Sequence, residues 1–125
     1  MPTHSDKEPP LFAIAQLDEI PPLPCPCGLA RRGFTDVPGA PASVHVVEIS
    51  KDSRVHYHRK MTETYVVLDG EGEIELDGEI HPLVPLSSVM IRPGCRHRAT
   101  PKQGGMLRIL NIAMPPFDPA DEFED

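Results

Sequence analysis

At 125 residues, with 25% charged and 39% hydrophobic, the chain has the length for one domain with a core of its own. A formal charge of −7 and the absence of tryptophan argue against nucleic acid or an anionic membrane as partner, because both reward a basic surface and single strands reward aromatic platforms. No apolar run reaches the length of a membrane span, and the start MPTHSDKEPP lacks the basic and apolar regions of a signal peptide, so a cytoplasmic location is expected.

Residues 1–41 carry nine of the sixteen prolines, in runs such as EPP and IPPLPCPC. Proline fixes φ and removes a backbone donor, which predicts an extended arm with at most one short helix near Leu11–Leu17. Its apolar residues, among them Leu11, Phe12, Ile14 and Leu23, are too many for a solvated tail, so the arm is expected to pack on the main domain or on a second subunit. Cys25 and Cys27 form a C-P-C element within it. With Cys95 they make an odd set of three thiols in a chain without a secretion signal, which reads as free cysteines rather than a disulfide framework.

From Ala42 the pattern changes to short alternating runs. SVHVVEI reads as a strand with His45, Val47 and Ile49 on one face, followed by VHYH, ETYVVLDG and GEIEL. Asp77–Gly78 is a hairpin signal leading into EIHPLV, and SSVMI, RHRAT and MLRILNIAM complete the set. About eight short strands punctuated by Gly, Pro and Asp predict an all-β barrel or jelly roll over residues 42–114. The last eleven residues, 115–125, form an acidic tail expected to lie over the barrel exterior or to fray.

Three histidines and a glutamate carry the chemistry. His56 and His58 are two apart, so on an extended segment both imidazoles project from one face. Glu63 can reach them from the next strand, and His97 can complete the set only if the chain folds back on itself. Three imidazoles and a carboxylate suit one divalent transition metal (Fe, Mn, Zn or Ni) and suit Ca or Mg poorly. Burying these groups without such a partner would cost several kcal/mol, on the order of an unmet polar group or charge. Parity sends Tyr65 and Val67 inward with Glu63, Cys95 is two residues before His97, and Arg54 two before His56. These four are expected at the pocket, with Tyr65 a candidate general acid beside Glu63. Of Arg108 and Asn111 at most one can face the cavity, and His4, His45 and His81 sit in no motif and receive no metal role.

The run from Ser50 to Gly70 resembles the first motif of the cupin superfamily, with His56, His58, Glu63 and Gly70 in register. Leu86 to His97 resembles the second, with Gly94 and His97 in place. The chain departs from the motifs at Ser50 and Leu86, where they carry glycine, at Arg92 for proline, and at Pro101 for a frequent asparagine. None of these is a ligand position. The resemblance implies a cupin-like double-stranded β-helix, or jelly-roll barrel, holding a metal on His56, His58, Glu63 and His97. It also implies a homodimer, for which the apolar outer residues Val66 and Leu68 offer a surface in need of cover. The function so implied is an enzyme acting on a small polar metabolite, by dioxygenase or by isomerase/lyase chemistry. The alternative is a metal-containing module that binds a small, sugar-like molecule without turnover.

Overall fold

The computed structural model describes residues 10–51 and 53–125; His4 and the first nine residues of the arm lie outside that range. Among the described residues nine strands form two antiparallel sheets. They are β1 (Leu23–Cys25), β2 (Gly28–Gly33), β3 (Ser43–Ile49), β4 (Thr62–Asp69), β5 (Gly72–Leu76), β6 (Glu79–Leu83), β7 (Ser88–Ile91), β8 (His97–Pro101) and β9 (Leu107–Met114). One sheet has the order β1-β2-β3-β9-β4-β7 and the other β6-β5-β8. Among the described residues no helix is long and apolar enough to cross a membrane.

The all-β expectation holds, and the strands from Ser43 onward fall where alternation places them, with one exception. The segment VHYH is not a ladder strand: His56 pairs with His97 and Tyr57 with Phe123 as isolated bridges. The arm differs more. Among the described residues the one short helical element there is a 3-10 turn at Leu17–Glu19, at the end of the Leu11–Leu17 stretch. Residues 23–33, expected as extended arm, form the hairpin β1–β2, and β2 runs antiparallel to β3 from Gly28↔Ile49 to Gly33↔Val44. Proline disfavours interior strands but not an edge. Pro24 lies on the edge strand β1, and β2 itself contains no proline.

Turn chemistry accounts for the tight corners. Asp77 and Gly78 both have positive φ, 48° and 87°, as the β5–β6 hairpin requires. Gly70 has φ 90°, and a Cβ there would lie 2.0 Å from the Met106 carbonyl oxygen. Leu86, at a motif position occupied by glycine, adopts φ 71° all the same.

The register of β3, β9 and β4 sorts the interior into layers. Ile49 stands opposite Leu107 at one end. Next come Val47, Ile109 and Val67 abreast, then His45, Asn111 and Tyr65, and finally Ser43, Ala113 and Glu63. The apolar layers join Ile74, Leu83, Ile91 and Ala99 in one core. Each strand thus passes from aliphatic to polar along its inward face, and the polar end holds the site.

The tail closes that end. Asp121 is buried and accepts from the backbone N–H of Arg59 (2.8 Å), Lys60 (3.1 Å) and Met61 (2.9 Å). Arg96 clasps the Asp125 carboxylate with two bonds of 2.8 and 2.9 Å and stacks 3.6 Å over the Tyr57 ring. Residues 115–125 are therefore fastened across the barrel end rather than frayed.

Candidate metal centre

His56, His58, Glu63 and His97 converge, with their donor atoms all within 4.8 Å of one another. Glu63 comes from β4 and His97 from the start of β8. His56 is held opposite His97 by a reciprocal pair of backbone bonds, 3.1 and 2.9 Å. Gly94, with φ 91°, donates its N–H to the His58 carbonyl at 2.7 Å. These links bring the two motifs together and make a convergent pair out of residues that no ladder aligns.

Each imidazole spends Nδ1 on a main-chain carbonyl: His56 on Arg54 (3.3 Å), His97 on Cys95 (2.9 Å) and His58 on Asp121. A carbonyl oxygen only accepts, so Nδ1 carries the proton and the Nε2 lone pair of each neutral ring is bare. Two of these lone pairs face one carboxylate oxygen, Glu63 Oε1, at 2.9 Å from His58 and 3.2 Å from His97. Lone pair against lone pair at that range is relieved either by a proton on the imidazole or by a metal ion between them. Two donors about 2.1 Å from a shared metal lie roughly 3.0–3.4 Å apart, close to the separations found. The donor set therefore fits a borderline transition metal, with backbone carbonyls orienting each ring as such ligands require.

The charges agree. Burial works against an ionised Glu63, yet its contacts with His58 and His97 outweigh burial and hold it well below the usual carboxylate range. Burial also opposes charging His58, but Glu63 and the Asp121 carbonyl together push it up to about 9, so a proton takes the cation's place when no metal is bound. For His56, burial followed by the neighbouring His97 pushes the pKa down.

Of the other expected residues, Arg54 and Tyr65 line the same cavity, which has a volume of about 750 Å³. Arg54 sits exposed at its rim, 3.4 Å from Glu124. Tyr65 stands with its ring centroid 6.3 Å from that of His97, and burial followed by the Glu63 charge raises its pKa well above the ordinary value, so it keeps its proton. Val67 and Cys95 do not line the cavity. Val67 lies one layer deeper and is wholly buried in the aliphatic core. Cys95 packs against the aliphatic core rather than the cavity, its thiol 3.8 Å from the Arg96 carbonyl and its pKa raised by burial and then by Asp77.

Several residues of the site belong to no motif. Asn111 Nδ2 donates to Glu63 Oε2 at 2.6 Å, which leaves Oε1 for the histidines. Strand parity allowed Asn111 inside, but nothing in the sequence tied it to Glu63. His45 lies beside Asn111, bonds Ser43 Oγ at 2.8 Å, and is pushed down to about 4 by burial and then by Arg32. Arg32 lines the cavity with its guanidinium 4.1 Å over the Phe117 ring, and its buried Nε has no hydrogen-bond partner among the described residues. His81 lies half-exposed near Glu79, away from the cluster.

Comparison with known proteins agrees with this architecture. The family model described as a cupin domain matches residues 43–113. A crystal structure of a protein from Planctomyces limnophilus is 44% identical, with a TM-score of 0.84 over 91% of this chain and 97% of that one. Ectoine synthase from P. lautus is 20% identical, with a TM-score of 0.74 over 90% and 88%. The nucleoside dehydratase Pac13 of Streptomyces is 17% identical, with a TM-score of 0.72 over 90% and 89%. At those two identities the likeness is one of fold. A search of curated proteins finds no match. With the family model covering more than half of its length, and with the two-sheet barrel and three-histidine, one-glutamate cluster described above, the chain belongs to the cupin family.

Proposed function

We propose that this cupin is a metal-dependent enzyme of the isomerase or lyase type that acts on a small, polar, anionic metabolite. The observation that carries the reading is the cluster of three imidazoles and one carboxylate, two of whose Nε2 atoms meet Glu63 Oε1 while His56, His58 and Glu63 line a cavity of about 750 Å³, a size that suits a metabolite. A divalent transition metal held by His56, His58, Glu63 and His97 supplies Lewis acidity toward a substrate oxygen. Asn111 keeps Glu63 turned toward the histidines. Tyr65, protonated at Oη beside the cluster, is placed to give a proton to a developing oxyanion or leaving group. Arg32, a cation on the cavity wall with one N–H to spare, anchors the anionic group of the substrate, and its stacking on Phe117 holds the guanidinium plane in position. A protein proton donor and an anion anchor around one metal favour proton transfer and elimination over oxygen insertion.

The test is to load tag-free protein with Zn, Mn, Ni or Fe separately and incubate it with a panel of hydroxy, keto and amino acids and sugar acids. Reactions are followed by proton NMR in deuterated water with an oxygen electrode in parallel. Deuterium incorporation or loss of water from a substrate without oxygen uptake is expected. Oxygen consumption with Fe alone would contradict the reading and make the protein a dioxygenase. Saturable binding without conversion would make it a binding module. The exposed Leu11, Phe12 and Ile14 of the arm also support a homodimer, for which light scattering at twice the 13.8 kDa chain mass is the check.

A further inference from the structure

The C-P-C turn lies on the wall of the same cavity, at the edge of the six-stranded sheet, with Cys27 packed against the core. Cys25 ends β1 and Cys27 stands in the two-residue turn before Gly28, which is paired with Cys25. Their Sγ atoms are 2.9 Å apart, and both thiols are partly accessible. Two sulfurs not bonded to each other ordinarily stay farther apart, and a disulfide needs about 2.05 Å, so closure calls for a movement of roughly 1 Å. The turn around them is fixed. The Cys27 carbonyl accepts from the N–H of Ser50 (2.9 Å) and Lys51 (3.2 Å), Pro26 restricts the residue between, and a Cβ on Gly28 would meet the Glu48 carbonyl oxygen at 2.0 Å. Backbone restraint on both sides holds the thiols together whether or not a metal is bound nearby.

We propose that Cys25 and Cys27 are a redox-active dithiol, which closes to an intrachain disulfide by exchange with small disulfides such as oxidised glutathione. The Cys25 thiolate attacks one sulfur of the small disulfide; that S–S bond breaks, and the departing thiolate takes up a proton. Cys27 then gives up its proton and attacks the Cys25 sulfur of the mixed disulfide, and the second small thiolate leaves and is protonated. Cys25 and Cys27 lose two electrons and two protons, and the small disulfide becomes two thiols. The pair is asymmetric in the sense this order needs. A hydrogen bond from the Cys27 thiol outweighs burial and brings Cys25 down to about 6, while the same contact and burial push Cys27 up. A ring closed over one intervening residue in a pinned turn is strained, and strained accessible disulfides are the readily reducible ones. This site goes beyond the reaction proposed for the metal centre and does not depend on it. Its consequence is that the redox state alters one wall of the substrate cavity.

The experiment equilibrates metal-loaded, full-length protein across a series of reduced-to-oxidised glutathione ratios, quenches with acid, and alkylates the remaining thiols. Intact mass and peptide mapping then locate any linkage. In oxidising mixtures the wild type is expected to lose two hydrogens and to take up alkylating agent at Cys95 alone, and to regain all three reactive thiols when reduced. Cys25→Ser and Cys27→Ser are each expected to lack this transition, whereas Cys95→Ser keeps it. Three alkylatable thiols at every ratio, or glutathione adducts on Cys25 and Cys27 without a link between them, would overturn the proposal. The wild-type peptide map decides the matter even if a serine variant fails to fold.

Discussion

His58 donates its Nδ1 proton to the main-chain carbonyl of Asp121, 63 positions further along the chain. The Asp121 carboxylate, in turn, takes the backbone N–H groups of the three residues that follow His58. One tail residue thus fixes both the tautomer of a candidate ligand imidazole and the path of the chain that follows it. Asp121→Ala leaves those N–H groups without a charged acceptor and is expected to lower stability by about 3 kcal/mol. It should also weaken metal affinity about tenfold or more. Denaturant midpoints and metal titrations on the same preparations check both effects, and Asp121→Asn should fall between.

Tyr65→Phe removes a proton donor while keeping the ring that packs in the polar layer. Turnover is expected to fall by about 10²–10⁴ with metal content unchanged. If steady-state kinetics show an undiminished kcat, Tyr65 is a packing residue.

His45 supplies a pH dependence of stability. Its folded-state pKa, about 4, lies below the unfolded value of 6.5. Between those limits the unfolded chain binds more protons, so stability falls as pH drops from 6.5 through 4. The contribution approaches about 3 kcal/mol in full. Arg32 strengthens the effect and Glu63 opposes it. The wild-type curve of unfolding free energy against pH, minus that of His45→Gln, should show this slope, because the metal-ligand titrations cancel in the difference.

Leu86 holds a left-handed backbone at φ 71° with its side chain 78% exposed. Glycine relieves that strain and gives up little burial, so Leu86→Gly is expected to raise stability by about 0.5–1 kcal/mol. The β-branched Leu86→Val should lower it. Chemical denaturation of the two variants separates these signs.

The legible part of the molecule was the part written in local pattern. Alternation gave the strands from Ser43 to Met114 except VHYH, which makes only isolated bridges, and the spacing of His56, His58, Glu63 and His97 gave the cluster. The departures arose where pairing between distant segments decides the outcome. Proline density pointed residues 23–33 toward an extended arm, yet an edge position lets Pro24 join a sheet and β2 bonds to β3 without a proline of its own. Parity placed Val67 inward correctly but could not tell core from cavity, which depends on how far each layer lies from the open end. Cys95 likewise packs on the core and not on the cavity wall. Asp121, Arg32 and the Asn111–Glu63 bond left no local trace, since each is a contact between segments far apart in sequence.

The central claim is a metal on His56, His58, Glu63 and His97. Elemental analysis of protein purified without a chelating tag, compared with His56→Ala prepared alongside, tests it most directly. About one transition-metal ion per wild-type chain, sharply reduced in the variant while its strand spectrum by circular dichroism persists, is the predicted result. No metal in the wild type even after reconstitution, or equal metal in both proteins, would contradict it.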